Sequence, residues 1–255
     1  MKQLLICSGL DPSGGAGFIA DVQLAARFDV RPVGIVTATT IQNTLGVAGW
    51  QPVSAEHVRE QLEHLLSDVE VAAVKLGMLG AVDTAVAIGH ALQLTKAPVV
   101  WDPVLFASRG TPLVDGELAH AIAAIEPHLT VVTPNARELA ILSGTPVIDL
   151  DEAVAAGEAL AARLGAAVLV KGGHLATGDE SIDVLIHKGS REELRASRIP
   201  GGEDVHGTGC ALATVIAAQL AHGVELIDAC REAKRFVGDA ITLAVRPGRG
   251  APAVV

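Results

Sequence analysis

A chain of 255 residues, 50% hydrophobic but only 2% aromatic, is long enough to bury a large core, built from Ala, Val, Leu and Ile as in buried parallel strands covered by helices. Its formal net charge of −10, from 29 acidic and 19 basic residues with no basic run, argues against a nucleic-acid partner or an anionic membrane surface. Cys7, Cys210 and Cys230 are odd in number and widely spaced, which suits a cytoplasmic protein rather than a disulfide framework. No linker composition interrupts the chain and no stretch reaches the length of a membrane span, so residues 1–255 are expected to form a single domain.

In chain order, β-branched runs alternate with helical patterns. Gln3 to Ser8 reads as a strand, followed by the loop Asp11 to Gly17 and a helix ending near Phe28. Strands are then expected at Val33 to Thr37, Ala72 to Leu76, Pro98 to Asp102, Leu129 to Thr133 and Ala166 to Lys171. Apolar residues at three- and four-residue spacing mark helices at Ala55 to Leu66, Ala81 to Leu94, Leu118 to Ile125, Arg137 to Leu142 and Asp151 to Leu164. Ser181 to His187 and Glu193 to Ile199 read as an antiparallel pair turning near Lys188-Gly189-Ser190, and two helices, Gly209 to His222 and Leu226 to Val245, follow. Such alternation implies an α/β fold around a mostly parallel sheet, with ligands at the carboxyl ends of its strands.

Several chemically suggestive residues fall at those ends. The loop Asp11-Pro12-Ser13-Gly14-Gly15-Ala16-Gly17 lets backbone approach a ligand, but it lacks the terminal Gly-Lys-Ser/Thr of a Walker loop and the spacing of a dinucleotide fingerprint. Gln42, in the polar segment Thr37 to Gly46, offers an amide suited to a heteroaromatic edge, while Asn43 and Thr44 suit an ordinary turn. Asp102, Asn135 and Glu138 are candidates to position hydrated Mg²⁺ and nucleotide phosphates, Glu138 being equally suited as a helix-start acid. Lys171 is placed to neutralise phosphate, or else is a strand-end surface lysine.

His206-Gly207-Thr208-Gly209-Cys210 ends an irregular segment and opens a small-residue apolar run. Its glycines permit tight backbone, so successive N–H groups can converge on one oxyanion at a helix start. The side chain just inside is the Cys210 thiol, whose charged form a helix N-terminus would favour. His174, His206 and Cys210 lie at no recognisable zinc spacing.

Together, Gly9 to Gly17, Thr40-Ile41-Gln42-Asn43-Thr44, Lys75-Leu76-Gly77-Met78-Leu79, Asp102-Pro103-Val104, Thr133-Pro134-Asn135, Lys171-Gly172-Gly173-His174 and His206 to Cys210 resemble the hydroxymethylpyrimidine/phosphomethylpyrimidine kinases of thiamin biosynthesis. The resemblance spans nearly the whole chain. It implies a ribokinase-like three-layer α/β/α sandwich, often a homodimer, that transfers the ATP γ-phosphoryl group to 4-amino-5-hydroxymethyl-2-methylpyrimidine and then to its monophosphate. By the same resemblance, Ala16 (through its backbone), Asp21, Gln42, Met78 and Val104 line the pyrimidine pocket, and Gly207, Thr208 and Gly209 supply the anion hole. Cys210 stands where most ribokinase-like sugar kinases carry an aspartate, as a base or a polarising partner. Lys171 contacts nucleotide phosphate, Asn135 and Glu138 the hydrated Mg²⁺, and Asp102 the phosphate and metal region.

Two departures from the family pattern stand out. Glu203-Asp204-Val205 replaces a common Lys-Asn-Thr lead-in, which sets two acids near the phosphates and is expected to repel an anionic acceptor; Ser108-Arg109 replaces the usual Lys-Ser. The rival readings are a pyridoxal/pyridoxine kinase on the same scaffold and a non-catalytic pyrimidine-binding protein.

Overall fold

Residues of the first strand alternate between two cores, as a period-two backbone requires. Leu5 and Cys7 face one hydrophobic cluster, Leu4 and Ile6 another. The computed structural model describes residues 1–106, 110, 113–115, 117–173, 175 and 177–254. Its strands are β1 (Gln3–Leu10), β2 (Arg31–Asn43), β3 (Gly46–Pro52), β4 (Ala73–Leu76), β5 (Gly80–Ala81), β6 (Val99–Trp101), β7 (Val114–Asp115), β8 (Leu129–Val132), β9 (Ala167–Val170), β10 (Glu180–His187) and β11 (Ser190–Ser197). Its helices are α1 (Gly17–Arg27), α2 (Ala55–Leu66), α3 (Val82–Leu92), α4 (Leu118–Ile125), α5 (Ala136–Ser143), α6 (Leu150–Leu164), α7 (Thr208–Ala221) and α8 (Leu226–Thr242).

Among the described residues, nine strands form one sheet in the order β11-β10-β9-β8-β6-β4-β1-β2-β3. The six central strands from β9 to β2 are parallel, while β3, β10 and β11 join by antiparallel pairing. Helices α2 to α6 pack on one face through Val58, Leu62, Ile88, Leu139 and Leu160. Helices α1, α7 and α8 cover the other through Ala25, Val215, Ile216 and Ala229. The result is the expected three-layer α/β/α sandwich, and the order of strand addition reverses between β1 and β4, the switch point at whose carboxyl ends open α/β sheets bind ligands.

Two stretches differ from the sequence reading. The polar segment after Thr37 continues β2 to Asn43 and returns as β3, which the glycines and proline of Gly46–Pro52 obscured. Leu45 N–H donates to Asn43 Oδ1 at 2.8 Å, so Asn43 makes the side-chain-stabilised turn that joins them. The turn at Lys188-Gly189 does close β10 on β11, both residues having positive φ (51° and 77°) as a two-residue hairpin demands.

Candidate active site

The segment His206 to Cys210 joins two halves of one cleft. On the first side, His206 Nε2 lies 3.2 Å from Asp11 Oδ2 and 3.4 Å from Gln42 Nε2, tying the β1 loop to the β2–β3 hairpin. Thr40 Oγ1 lies 2.9 Å from Leu10 O and 3.2 Å from Gln42 Oε1, its single proton shared between the two acceptors, so the Gln42 amide has a neighbour at each end. Burial works against ionisation of Asp11, but hydrogen bonds from His206 and Ser13 outweigh it and hold the carboxyl below its ordinary range. The chain end closes over this side: Ala251 N–H donates to Thr44 O at 3.1 Å and His206 N–H to Pro252 O at 2.8 Å.

Met78 and Val104 meet beside Ala38, Leu113 and Trp50 in a small apolar cluster. Ala16 is the half-buried residue before α1, in extended backbone. Asp21 is placed differently from the pocket-lining position the resemblance implies. It is fully buried, with both carboxylate oxygens engaged: Lys75 Nζ at 2.6 Å and Ser8 Oγ at 2.8 Å on Oδ2, Thr214 Oγ1 at 2.8 Å on Oδ1.

On the other side, Lys171 Nζ donates to Asp102 Oδ1 at 2.9 Å and stands 3.7 Å from Glu138 Oε2. Burial depresses the Lys171 ammonium, yet Asp102 and Glu138 more than reverse this and hold it charged. Asn135 and Glu138 form a reciprocal cap of α5, each backbone N–H donating to the other's side chain at 2.9 Å. Glu138 is therefore the helix-start acid and also a member of the charged cluster. Burial pushes its carboxyl up to about 7, against the pull of Lys171 and with Asp102 adding to the rise.

A cavity of about 200 Å³ extends from this cluster between β10, β11, α7 and α8; Asn135, Lys171, Thr208, Gly209, Leu212 and Ile241 are among its lining. Arg198 at its wall donates to the carbonyl oxygens of Gly173 (2.6 Å) and Leu175 (2.7 Å), and Lys234 pairs with Asp183 at 2.9 Å. Sequence reasoning missed these residues, because no motif surrounds them. Glu203 also lines the cavity, which corrects the expectation that it faces the acceptor. Gly201, at φ 75°, starts a short turn over Gly202–Asp204 that packs toward Ile199 and Ile241; Glu203 and Asp204 are both exposed, and Glu203 borders the cavity that Lys171 also lines. Ser108, Arg109 and His174 lie outside the described residues.

Gly207, at φ 85°, caps α7 without a side-chain hydrogen bond, so no side chain serves the first N–H groups of the helix, and Thr208 and Gly209 line the cavity. A Cβ on Gly207 would stand 2.1 Å from Gly15 O; one on Gly209 would stand 3.2 Å from Lys171 Nζ and 3.6 Å from Asp102 Oδ2. The helix start thus touches the Asp11–Gly17 loop with one glycine and the Lys171–Asp102 pair with the other. Cys210 does not rest as a thiolate, contrary to the helix-terminus argument. Burial pushes its thiol up to about 12, and Asp102 and Asp21 reinforce the rise against Lys75 and the Gly17 N–H.

Residues 11–254 match the family model described as phosphomethylpyrimidine kinase. The chain belongs to that family. It is 42% identical over 253 residues to a hydroxymethylpyrimidine/phosphomethylpyrimidine kinase of Rhizobium meliloti (strain 1021), covering 96% of this chain and 94% of the relative. Among solved structures, the pyridoxal kinase of Staphylococcus aureus in complex with ADP superposes with a TM-score of 0.90 at 28% identity, covering 100% of this chain and 93% of that one. The phosphomethylpyrimidine kinase of Clostridium difficile 630 gives 0.81 at 28% identity, covering 94% and 100%. The kinase therefore has the ribokinase-like architecture, and Cys210 takes its place at the helix start of a phosphotransferase.

Proposed function

We propose that this kinase transfers the γ-phosphoryl group of ATP to the hydroxymethyl oxygen of 4-amino-5-hydroxymethyl-2-methylpyrimidine, and then phosphorylates the monophosphate, in thiamin biosynthesis. The observation that carries this reading is the position of His206 to Cys210, which touches the Gln42 side through His206 and the Lys171 side through Gly209. A hydroxymethyl ring against Gln42, Met78 and Val104 and a triphosphate reaching Lys171 would meet there. The acceptor oxygen attacks the γ-phosphorus as the bond to the β,γ-bridging oxygen breaks and ADP leaves. The N–H groups of Gly207, Thr208 and Gly209 then stabilise the equatorial oxygens, Lys171 neutralises phosphate, and Cys210 takes or polarises the alcohol proton.

The residues present suit a hydrated Mg²⁺ more than a ligated one. Among the described residues no group of three His, Cys, Asp or Glu side chains surrounds a common point. Asn135 Oδ1 and Glu138 Oε2 already serve the helix cap, so they would hold the ion through water while phosphates ligate it directly. The ion neutralises phosphate charge when bound.

Product analysis with ATP, Mg²⁺ and the unphosphorylated pyrimidine, resolving mono- from diphosphate, tests the proposal. Absence of ADP release despite pyrimidine binding would overturn it in favour of a binding protein. The likeness to a pyridoxal kinase supports a second reading on the same scaffold, and steady-state kinetics with both alcohols side by side separate the two. The kinase is further proposed to act as a cytoplasmic homodimer of single-domain subunits. Its free cysteines support the compartment and Ile41, 72% exposed at the hairpin, supports the association; sedimentation equilibrium checks the dimer. No described helix is long and apolar enough to cross a membrane.

Gln42→Leu is expected to lower kcat/KM for the pyrimidine by roughly 1–3 kcal/mol, the cost of leaving a buried polar ring group unpaired, with little change in KM for ATP. An unchanged pyrimidine kcat/KM would place Gln42 outside the recognition site. The corrected position of Glu203 alters what its neutralisation should do. Glu203→Gln is expected to lower KM for ATP a few-fold at low salt and less at 0.5 M salt, without favouring the phosphorylated acceptor over the free alcohol. A selective gain for the monophosphate instead would return Glu203 to the acceptor side.

A further inference from the structure

Beneath the reacting turn lies a charged pair that the transfer described above does not use. Lys75 on β4 and Asp21 on α1 are both fully buried, 2.6 Å apart. A buried ion pair contributes little net stability compared with a well-packed apolar pair, so its presence alone does not explain itself. Its placement does. Cys210 and Thr214 are one turn apart on α7, and Gly17 and Asp21 one turn apart on α1, so each pair shares a helix face. The two faces are joined where Thr214 Oγ1 donates to Asp21 Oδ1 at 2.8 Å, one turn along each helix from Cys210 and Gly17. Ser8 of β1 adds a bond to Asp21 Oδ2 at 2.8 Å and fixes the carboxylate from the sheet side.

Among the described residues, charged groups bear on Cys210 from several elements. Asp21 of α1 and Asp102 beyond β6 oppose its ionisation, and Lys75 of β4 is the foremost influence favouring it; Lys171 beyond β9 also feels the thiolate. Lys75 is itself held charged against its burial chiefly by Asp21, with Asp102 adding to the effect. Asp21 thus anchors the ammonium under the helix start while its own charge is largely satisfied by three donors.

We propose that Lys75 is a positioning residue for phosphoryl transfer: held by Asp21, Ser8 and Thr214, it supplies the fixed buried cation against which Cys210 gives up its proton. This rests on Cys210 acting in the transfer as described above. The proton balance is simple. The Cys210 S–H releases its proton to water, the thiolate takes the alcohol proton as the new O–P bond forms and ADP departs, and the thiol is restored.

The test is the rate of Cys210 alkylation by iodoacetamide at pH 9 in the ligand-free enzyme, followed by peptide mass spectrometry so that Cys7 and Cys230 do not contribute. This rate tracks the thiolate fraction. Lys75→Met is expected to slow it about tenfold, the effect of losing one nearby opposite charge. It should also lower kcat about tenfold at pH 7, with KM for both substrates within about threefold, and the deficit should stay near tenfold up to about pH 9 because the thiol titrates well above that range in both enzymes. An unchanged alkylation rate, or an unchanged kcat, would overturn the proposal.

Lys75→Met leaves Asp21 buried and unpaired, so folding itself is at risk. Lys75→Met combined with Asp21→Asn removes that burden and is read in the same way. Slower alkylation and lower kcat are again expected, because Lys75 outweighs Asp21 at the sulfur. Return of both to wild-type values would assign the pair to packing and overturn the proposal. Cys210→Ala with undiminished kcat would instead overturn the catalytic reading of the thiol, which the alkylation result does not depend on.

Discussion

Cys210→Ala is expected to cut kcat by about 10²-fold or more, the scale of losing a positioned proton acceptor, while KM for ATP and for the pyrimidine change much less. The argument rests on the turn that holds the sulfur: Gly209, the residue before it, abuts the Lys171–Asp102 pair. A pH dependence follows with a definite sign. With the thiol pushed up to about 12, the neutral form predominates near pH 7 and the thiolate fraction rises about tenfold per pH unit. Where chemistry limits the rate, wild-type kcat should therefore climb from pH 6.5 to 9, and the alanine variant should be nearly flat over that range. Single-turnover rates measured across the range decide it. A variant with near-normal chemistry, or one with the same pH slope as wild type, would remove Cys210 from the proton path.

The parallel core was legible because Leu4 to Cys7, Val131-Val132 and Ala167 to Val170 are short apolar runs separated by helical periodicity, and both signals act locally. The same locality explains the reach of the site reading. Gly207, Gly209, Lys171, Asp102 and Asn135 all sit directly after strands or at a helix start, where sequence position predicts spatial convergence. Burial depends on neighbours distant in the chain. Asp21 was read as a pocket residue, yet its partners are 54 residues away at Lys75 and 193 away at Thr214, and no spacing in the sequence announces such a meeting.

The helix dipole at Cys210 was likewise a local argument, and it lost to burial of the thiol under other elements, with Asp102 and Asp21 adding to the rise. Glu203 failed for a related reason: the direction of a side chain in an irregular segment is set by one positive-φ glycine, Gly201, and by what Gly202 packs against. The β3 strand was missed because edge pairing, rather than residue preference, holds Gly46–Pro52 extended.

Gly207→Ala is expected to be the most damaging single-methyl change at the site. At φ 85° an alanine is strained by about 1–2 kcal/mol whatever the space around it, and here its Cβ would stand 2.1 Å from Gly15 O, a backbone atom with no rotamer to retreat into. Relief requires the Asp11–Gly17 loop and the start of α7 to separate, which also pulls His206 from Asp11 and Gln42. The N–H groups that meet the transferring phosphoryl would then be misdirected. We expect kcat/KM to fall by about 10²–10³-fold, the cost of losing a preorganised oxyanion donor. Gly209→Ala makes a sharp contrast, since its Cβ would meet Lys171 Nζ at 3.2 Å, the far end of a flexible chain, with a helical φ that alanine favours. Its loss should stay under about tenfold, because the ammonium can shift by a few tenths of an ångström. Binding of a fluorescent ATP analogue, read beside circular dichroism, separates a misdirected turn from a lost fold. If the Gly207 variant stays folded, binds the nucleotide and turns over at the rate of the Gly209 variant, then the geometry of this turn does not govern transfer.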